Sequence, residues 1–235
     1  MLEMTLRKRI VNPVIKTLFH ILFKIDDPHM KNISYDGPLL IVSNHVNFFE
    51  GPYIATSLYP RKFSALAKRE SWNNPFFKFL FNTWELIPLN RDDSDIVAMK
   101  KGIRVLANNH LLGIFPEGTR SKDGRLIQGK PGTTVLSTQT NATVLPVACW
   151  GHENYKQDFK NLRRPPFNVK VGNPFKVIPL DRKEKKQNRQ EVTDQIMFQL
   201  AGTLPEYYRG YYADQASASE SLLQFPPDSS SNLAR

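Results

Sequence analysis

Short apolar runs alternate along the chain with stretches of helical periodicity, and this alternation constrains the fold more than any other feature of the sequence. Several runs end abruptly at polar residues or at glycine, as buried strands do where they leave a sheet. The predicted strands are Leu39–Val42, Phe63–Ala67, Leu86–Leu89, Leu111–Phe115, Val144–Ala148 and Val169–Val171. Strands separated by helices predict an α/β fold with a central mixed sheet flanked by helices.

The rest of the chain divides into helices, a linker and a tail. Helical periodicity predicts helices over 75–83, 93–108, 131–139 and 190–203, and residues 181–190 are predicted as a charged linker. We expect three parts: an N-terminal helix over residues 1–30, a globular domain over 31–205 and a tail over 206–235. The tail is rich in Ala, Ser and Gln and is predicted to be disordered.

The N-terminal segment has the pattern of an amphipathic helix. Apolar residues recur at spacings of three and four from Leu6 to Ile25, while Arg7, Lys8 and Lys16 occupy the other face. A basic amphipathic helix is typical of a segment that lies in a membrane interface. The pattern fits equally well a helix that packs on the core of its own chain. No apolar run approaches the roughly 20 residues that cross a bilayer.

The charge balance limits the classes of partner. Lys and Arg total 32 against 22 Asp and Glu, so the formal charge is +10. Such a surface attracts polyanions, which include nucleic acids and the anionic face of a membrane. Nucleic acid is not expected as a partner, because the sequence has no zinc finger, helix-turn-helix or RNA-binding aromatic motif. The single cysteine, Cys149, excludes an intrachain disulfide and a cysteine-rich zinc site.

Polar residues end the first predicted strand. Asn44 and His45 follow Leu39–Val42, and the carboxyl ends of strands are where α/β proteins build their sites. Histidine exchanges protons near neutral pH, and a carboxylate on one ring nitrogen leaves the other free as a base. Glu50 can serve only if His45 precedes a helix that begins near Glu50, because five residues turn a helix by about 140°. In isolation, this spacing is more often a surface histidine followed by a helix-starting carboxylate.

A second polar cluster, Phe115–Ser121, reads Phe-Pro-Glu-Gly-Thr-Arg-Ser and comes directly after another predicted strand. Gly118 permits close approach of backbone, and Arg120 can bind a phosphate with two hydrogen bonds. A tight turn with an ion pair between Glu117 and Arg120 would explain each residue singly. A tight turn does not explain why all seven residues of Phe115–Ser121 occur together.

Two further cations follow or precede predicted elements. Arg91 ends the apolar segment that begins at Leu86, and a solvated guanidinium is the simpler interpretation of it. Lys130 opens the helix at 131–139, where a lysine and exposed backbone amides can hold an anion. A turn followed by a helix explains Lys130 equally well.

These blocks resemble the glycerolipid acyltransferases, the family typified by 1-acyl-sn-glycerol-3-phosphate acyltransferase. The resemblance spans roughly residues 35–180. The family usually has aspartate where this chain has Glu50, and that substitution keeps the charge. The ordered blocks that carry the resemblance are Asn44-His45 with Glu50, Leu86–Arg91, Phe115–Ser121 and Val144–Val147.

The resemblance implies that His45 is a catalytic base and that Glu50 orients it. It implies transfer of a fatty acyl group from acyl-CoA or acyl carrier protein to the free hydroxyl of 1-acyl-sn-glycerol-3-phosphate, giving phosphatidic acid. The domain over 31–205 is then an acyltransferase domain that requires no metal and no cofactor. The expected substrate-binding residues are Arg91, Glu117, Gly118, Thr119, Arg120, Ser121 and Lys130.

Because acceptor and product are lipids, the resemblance favours the membrane-interface interpretation of residues 1–30. It implies a peripheral or monotopic location on the cytoplasmic face of a membrane. Two alternatives stay open. The acceptor can be another lysophospholipid or glycerol-3-phosphate, since an arginine recognises the phosphate but not the rest of the head group. The chain can also be a non-catalytic membrane-binding scaffold that retains the fold.

Overall fold

The computed structural model of the protein describes residues 2–30, 33, 37–90 and 95–233, with side chains from residue 6 onward. The strands are β1 (Lys24–Asp26), β2 (Leu39–Ser43), β3 (Phe63–Lys68), β4 (Ile87–Leu89), β5 (Leu111–Ile114), β6 (Thr143–Trp150), β7 (Pro166–Val171), β8 (Lys176–Val177) and β9 (Leu223–Gln224). The helices are α1 (Leu2–Leu22), α2 (Glu50–Ser57), α3 (Pro75–Thr83), α4 (Ile96–Ala107), α5 (Gly132–Thr140), α6 (Tyr155–Lys160), α7 (Arg182–Gln187) and α8 (Arg189–Thr203). Short 3₁₀ helices cover Arg69–Asn73, Glu206–Tyr212 and Gln215–Ser217.

A seven-stranded sheet in the order β1-β7-β6-β2-β5-β3-β4 forms the centre of the fold. Neighbouring strands run parallel, except that β7 is antiparallel to β6. The predicted α/β fold with a mixed sheet is therefore confirmed.

Helices cover both faces of the sheet, so alternate residues of one strand enter different cores. Leu40 and Val42 of β2 belong to the core beneath α4, α5 and α8, whereas Leu39 and Ile41 belong to the core beneath α1, α2 and α3. Strands buried on both faces read as continuous apolar runs, which is why β2, β5 and β6 were recognisable in the sequence. Their parallel register aligns Val42 with Ile114 and with Pro146, so their carboxyl ends meet at one edge.

The structure differs from the predictions at both ends of the chain. The first helix ends at Leu22 rather than near residue 25, and Lys24–Asp26 form an edge strand parallel to β7. The predicted linker over 181–190 contains α7, which begins with a capping box between Asp181 and Glu184. Among the described residues, no helix is both long and apolar enough to span a membrane.

The C-terminal segment is folded onto the domain, at least as far as residue 233, and the expectation of a disordered tail is corrected. Tyr212 is fully buried, and β9 pairs antiparallel with β8. The backbone N–H of Asn232 donates to the side-chain oxygen of Gln199 on α8. Composition suggested disorder, but a few apolar residues and many side-chain hydrogen bonds hold the segment in place.

Candidate active site

The loop between β2 and α2 places His45 at the carboxyl edge of the sheet. The buried side chain of Asn44 fixes the start of this loop: its Nδ2 donates to the carbonyl of Cys149 at 2.7 Å, and its Oδ1 accepts from the N–H of Cys149 at 2.8 Å. These two bonds join the end of β2 to β6. The imidazole of His45 stacks on Phe115, with the ring centroids 4.5 Å apart.

Glu50 is the first residue of α2, so the helix begins where the proposed pairing with His45 requires it. Its side chain is fully buried, and its Oε2 lies 3.4 Å from Nδ1 of His45. Because an ionised carboxylate only accepts hydrogen bonds, this contact places a hydrogen on Nδ1 of His45. Nε2 of the neutral ring is then free to take a proton.

The other oxygen of Glu50 has two partners of its own. Oε1 accepts from the backbone N–H of Asn47 at 2.8 Å and lies 2.8 Å from Nε2 of His152. Burial alone would raise the pKa of Glu50. The hydrogen bonds from His152 and His45, together with the electrostatic attraction of the two rings, outweigh that effect, and the pKa falls from 4.5 to about 2. Glu50 is therefore an anion throughout the physiological pH range.

The side chain of Glu117 binds the backbone of the loop that carries His45. Its side chain is buried, with Oε1 accepting from the backbone N–H of His45 at 2.7 Å and Oε2 from that of Ile127 at 3.1 Å. Burial raises the pKa of Glu117 to about 7; its two backbone hydrogen bonds oppose the rise and the charge of Glu50 adds to it. Glu117 was predicted as a substrate-binding residue, but it does not line the cavity that opens beside His45.

Ser121 holds the other side of the same loop. Its backbone N–H donates to the carbonyl of His45 at 2.8 Å, and its hydroxyl donates to Asp123. Ser121 is buried and does not line the cavity beside His45, although the sequence predicted it as a substrate-binding residue. Between them, Glu117 and Ser121 fix the backbone N–H and C=O of His45.

A cavity of about 1110 Å³ opens beside His45, and four of the predicted substrate-binding residues line it. These are Gly118, Thr119, Arg120 and Lys130. Gly118 has a φ of +67°, and a Cβ there would lie 2.9 Å from Cδ of Lys130, so glycine lets the lysine stem pass across this turn. Arg91 lies outside the described residues, but its neighbour Asn90 lines the cavity.

The cavity wall combines cationic and apolar groups. Its cations outnumber its carboxylates, which are Glu70 and Asp95; the cations are Lys68, Lys100, Arg120, Lys130 and Arg189. Much of the remaining wall is apolar: Phe63, Leu66, Phe77, Phe81, Trp84, Leu86, Met99 and Ile103. A cavity of this kind suits an amphiphile with an anionic end. The sequence did not identify Lys100 or Arg189 as site residues. Lys100 lay within a predicted helix, and Arg189 was assigned to the predicted charged linker, whereas it is the first residue of α8.

His152 is the principal site residue that sequence reasoning missed. It follows the carboxyl end of β6 and reaches Glu50 across 102 positions of sequence. Gly151, at φ +97°, makes the turn between them, and a Cβ at that glycine would lie 2.6 Å from Nδ2 of Asn168. A polar residue just after a buried strand was the available signal, the same one that identified Asn44 and His45.

Two further observations concern Cys149 and the groups that could bind a metal ion. Burial and the charge of Glu50 raise the pKa of the Cys149 thiol well above its ordinary value, which disfavours a nucleophilic thiolate. The described part of the chain contains no group of His, Cys, Asp and Glu side chains arranged to hold a metal ion.

Comparison with known proteins gives one consistent result. The family model described as Acyltransferase matches residues 24–150. The chain is 32% identical to a chloroplastic 1-acyl-sn-glycerol-3-phosphate acyltransferase of Arabidopsis thaliana, over 55% of this chain and 36% of that protein. It is 28% identical to the 1-acyl-sn-glycerol-3-phosphate acyltransferase of Borreliella burgdorferi, over 72% of this chain and 69% of that protein.

A solved structure has the same fold. The crystal structure of the 1-acyl-sn-glycerophosphate acyltransferase from Thermotoga maritima superposes with a TM-score of 0.58 at 23% identity, covering 79% of this chain and 76% of that one. The matched part of the chain spans little more than a third of the Arabidopsis relative, and half of the relative from Limnanthes douglasii.

Proposed function

The chain belongs to the acyltransferase family, and on that premise we propose that it transfers a fatty acyl group from a thioester to 1-acyl-sn-glycerol-3-phosphate, giving phosphatidic acid. The donor is acyl-CoA or acyl carrier protein. The observation that carries the proposal is the position of His45, between a buried anionic carboxylate and a cavity with both cationic and apolar walls.

In the proposed reaction, Nε2 of His45 takes the proton from the free hydroxyl of the acceptor. Glu50 stabilises the imidazolium, and its low pKa ensures that it is ionised to do so. The acceptor oxygen attacks the thioester carbonyl and forms a tetrahedral oxyanion, which collapses to the ester and expels the thiolate. The thiolate leaves with the proton that His45 holds. Proton transfer of this kind contributes roughly 10²–10⁴-fold to the rate.

The cationic wall would hold the phosphate of the acceptor. Arg120 can bind it with two parallel hydrogen bonds, and Lys130 adds a point charge beside it. The apolar wall suits the fatty acyl chains. Fixing the phosphate places the hydroxyl near His45, and such positioning lowers the barrier by removing translational and rotational freedom in advance.

Association with a membrane surface is part of the proposal, and the exposed side of α1 supports it. Its exposed apolar side chains recur at helical spacing: Leu6, Ile10, Val14, Leu18 and Ile21. Phe76 and Phe79 are exposed on the neighbouring helix α3. The opposite side of α1 packs on the core through Phe19, so the helix combines both interpretations of its sequence. The proposed location is peripheral or monotopic, on the cytoplasmic face.

The test is a product assay in mixed micelles with lysophosphatidic acid and either acyl-CoA or acyl carrier protein loaded with a fatty acid. Wild type should form phosphatidic acid and release one free thiol for each product molecule. His45→Ala should lose at least about 100-fold in kcat. Glu50→Asp, which keeps the charge, should retain far more activity than Glu50→Gln, which removes it.

The alternatives have their own outcomes in the same assay. Product with another lysophospholipid or with glycerol-3-phosphate, but not with lysophosphatidic acid, would reassign the acceptor and leave the chemistry unchanged. A wild-type protein that binds vesicles but transfers no acyl group to any of these acceptors would favour the scaffold interpretation.

A further inference from the structure

His152 occupies a position that packing alone does not explain. It is fully buried after the end of β6, and its ring stacks on Phe167 with the centroids 4.2 Å apart. Its Nδ1 is buried and has no hydrogen-bond partner among the described residues. A purely apolar side chain would fill the same space beside Phe167 without burying an unpartnered nitrogen, which costs stability.

The contact of the other ring nitrogen, Nε2, with Glu50 explains why a histidine occupies this buried position. Nε2 lies 2.8 Å from Oε1 of Glu50, a shorter contact than the 3.4 Å between Oε2 and His45. Because the Glu50 carboxylate is ionised and can only accept, Nε2 of His152 carries a hydrogen and donates it. One carboxylate therefore connects two imidazoles, of which His45 faces the cavity and His152 is buried behind it.

The neighbours of His152 strengthen this connection. Nδ2 of Asn47 donates to the carbonyl of His152 at 3.2 Å, while the backbone N–H of Asn47 donates to the same Glu50 oxygen that His152 contacts. The loop before α2 and the turn after β6 are thus held together around Oε1. A glutamate has one more rotatable bond than an aspartate, so it needs more anchoring to present one oxygen in a fixed direction.

We propose that His152 is a positioning residue for the reaction: it binds Oε1 of Glu50 and so keeps Oε2 directed at Nδ1 of His45. The proposal rests on the proposed function in so far as His45 is the base. It predicts that the hydrogen bond at Nε2 matters for turnover, although His152 has no contact with the cavity. In the neutral ring, His45 is then held in the tautomer that leaves Nε2 without a hydrogen.

The variants separate the hydrogen bond from the packing. His152→Gln can place an amide N–H near the position of Nε2 and should retain most of the activity. His152→Leu fills the space but donates nothing, and should lower kcat roughly 10- to 100-fold with KM changed by no more than about twofold. If His152→Leu does not fold, His152→Asn serves instead, since its amide stops near the position of Nδ1, short of Glu50. Thermal unfolding of each variant reports whether it is folded.

Coupling to Glu50 distinguishes positioning from a general loss of structure. In a Glu50→Asp background the carboxylate is one methylene shorter and we expect it to lose the contact with His152, so His152→Leu should lower kcat less than about threefold there. Equal fold-losses in both backgrounds would overturn the proposal, and so would a His152→Gln variant as impaired as His152→Leu.

A second measurement does not depend on activity. In protein labelled with ¹⁵N-histidine, the ring-nitrogen shifts of His45, assigned by their absence from His45→Gln, report which nitrogen carries the hydrogen. We expect the Nδ1–H tautomer in wild type and in His152→Gln, and a shift towards Nε2–H in His152→Leu. An unchanged tautomer in His152→Leu would refute the positioning role. A shifted tautomer in a protein that acylates no acceptor would instead refute the proposed function and leave the positioning role standing.

Discussion

Two buried glutamates of the same site differ by about five units in pKa because their partners differ. Glu50 contacts two imidazoles, whose hydrogen bonds and electrostatic attraction lower its pKa to about 2 despite full burial. Glu117 receives only two backbone N–H groups, which do not offset burial, and its pKa rises to about 7. Neutral pH therefore leaves Glu50 fully ionised and Glu117 partly protonated. The carboxylate beside His45 is thus the one that stays ionised, because its hydrogen-bond partners are imidazoles and not backbone N–H groups alone.

The raised pKa of Glu117 makes stability depend on pH in a defined window. Between about pH 4.5 and 7 the folded protein keeps the Glu117 proton that the unfolded chain has lost. The contribution of this group to the free energy of unfolding is therefore full below pH 4.5 and is lost as the pH rises through 7. Glu117→Gln removes the titration. In urea unfolding, the stability of wild type relative to this variant should fall by about 3 kcal/mol across the window; a difference that does not vary with pH would contradict the assignment.

At the residue scale, the sequence could predict which positions lie at strand ends but not which way each side chain points. His45, Glu50 and Arg120 were identifiable because they follow buried strands and carry distinctive chemistry. Glu117 belongs to the same motif, yet its side chain points under the loop to the N–H of His45. In an irregular turn, unlike in a helix or a strand, the side chains follow no fixed period, so the sequence does not indicate the direction of each one. His152 was missed because Glu50, the carboxylate that it contacts, lies 102 residues away in the sequence.

At the scale of elements, the C-terminal segment braces the loop that carries Lys130. The N–H of Leu126 donates to the carbonyl of Tyr208, and the N–H of Tyr211 donates to the carbonyl of Leu126. The hydroxyl of the buried Tyr212 donates to Asp194 at 2.6 Å and accepts from the N–H of Gly129 at 3.0 Å. The segment is thus linked through Gly129 to the cationic wall of the cavity.

Loss of the Tyr212 hydroxyl should weaken this brace. Tyr212→Phe leaves the buried N–H of Gly129 without its partner, at a cost of roughly 1–3 kcal/mol in the free energy of unfolding. Because Gly129 adjoins Lys130, we expect KM for the phosphate-bearing acceptor to rise more than kcat falls. Tyr211→Phe is the matched control, since the Tyr211 side chain is exposed. Equal kinetics and stability in the two variants would show that the hydroxyl does not support the loop.

Elements with strong periodicity or apolar character could be predicted, and those held by polar contacts could not. Helix α3, with its N-terminal proline, and the buried strand β6 lie close to their predicted bounds. The C-terminal segment was misjudged because its anchors are amides and hydroxyls. Gln195 of α8, for example, contacts Ser219 and Ser221 through Nε2 and accepts from the N–H of Leu222 through Oε1. Such bonds form only once α8 is in place, so the local sequence does not reveal them.

For the molecule as a whole, the net charge and the exposed apolar side chains both favour binding to an anionic lipid surface. A formal charge of +10 attracts an anionic surface, and the exposed apolar side chains of α1 and α3 offer groups that can enter it. Neither property suffices alone: charge does not distinguish a membrane from another polyanion, and an apolar helix face can serve a protein partner. Their combination with a cavity suited to an anionic amphiphile favours a lipid surface.

Vesicle binding provides the test at this scale. Wild type should sediment with vesicles that contain anionic lipid, and added salt should weaken the binding because it screens the charge. Ile10→Glu and Val14→Glu, on the exposed side of α1, should each reduce the partition coefficient by about tenfold or more, since burying such a side chain contributes about 1.5–3 kcal/mol.

The matched control for these substitutions is Val97→Glu. Val97 is at least as exposed as Ile10 and Val14, but it lies on α4, which packs against the opposite face of the sheet from α1. Added negative charge alone would lower binding in all three variants by the same factor, and the salt dependence would account for the whole of it. A loss confined to Ile10→Glu and Val14→Glu, persisting at high salt, requires apolar contact between α1 and the bilayer. If Val97→Glu binds as poorly as the α1 variants, attraction of charge is sufficient and α1 does not enter the lipid.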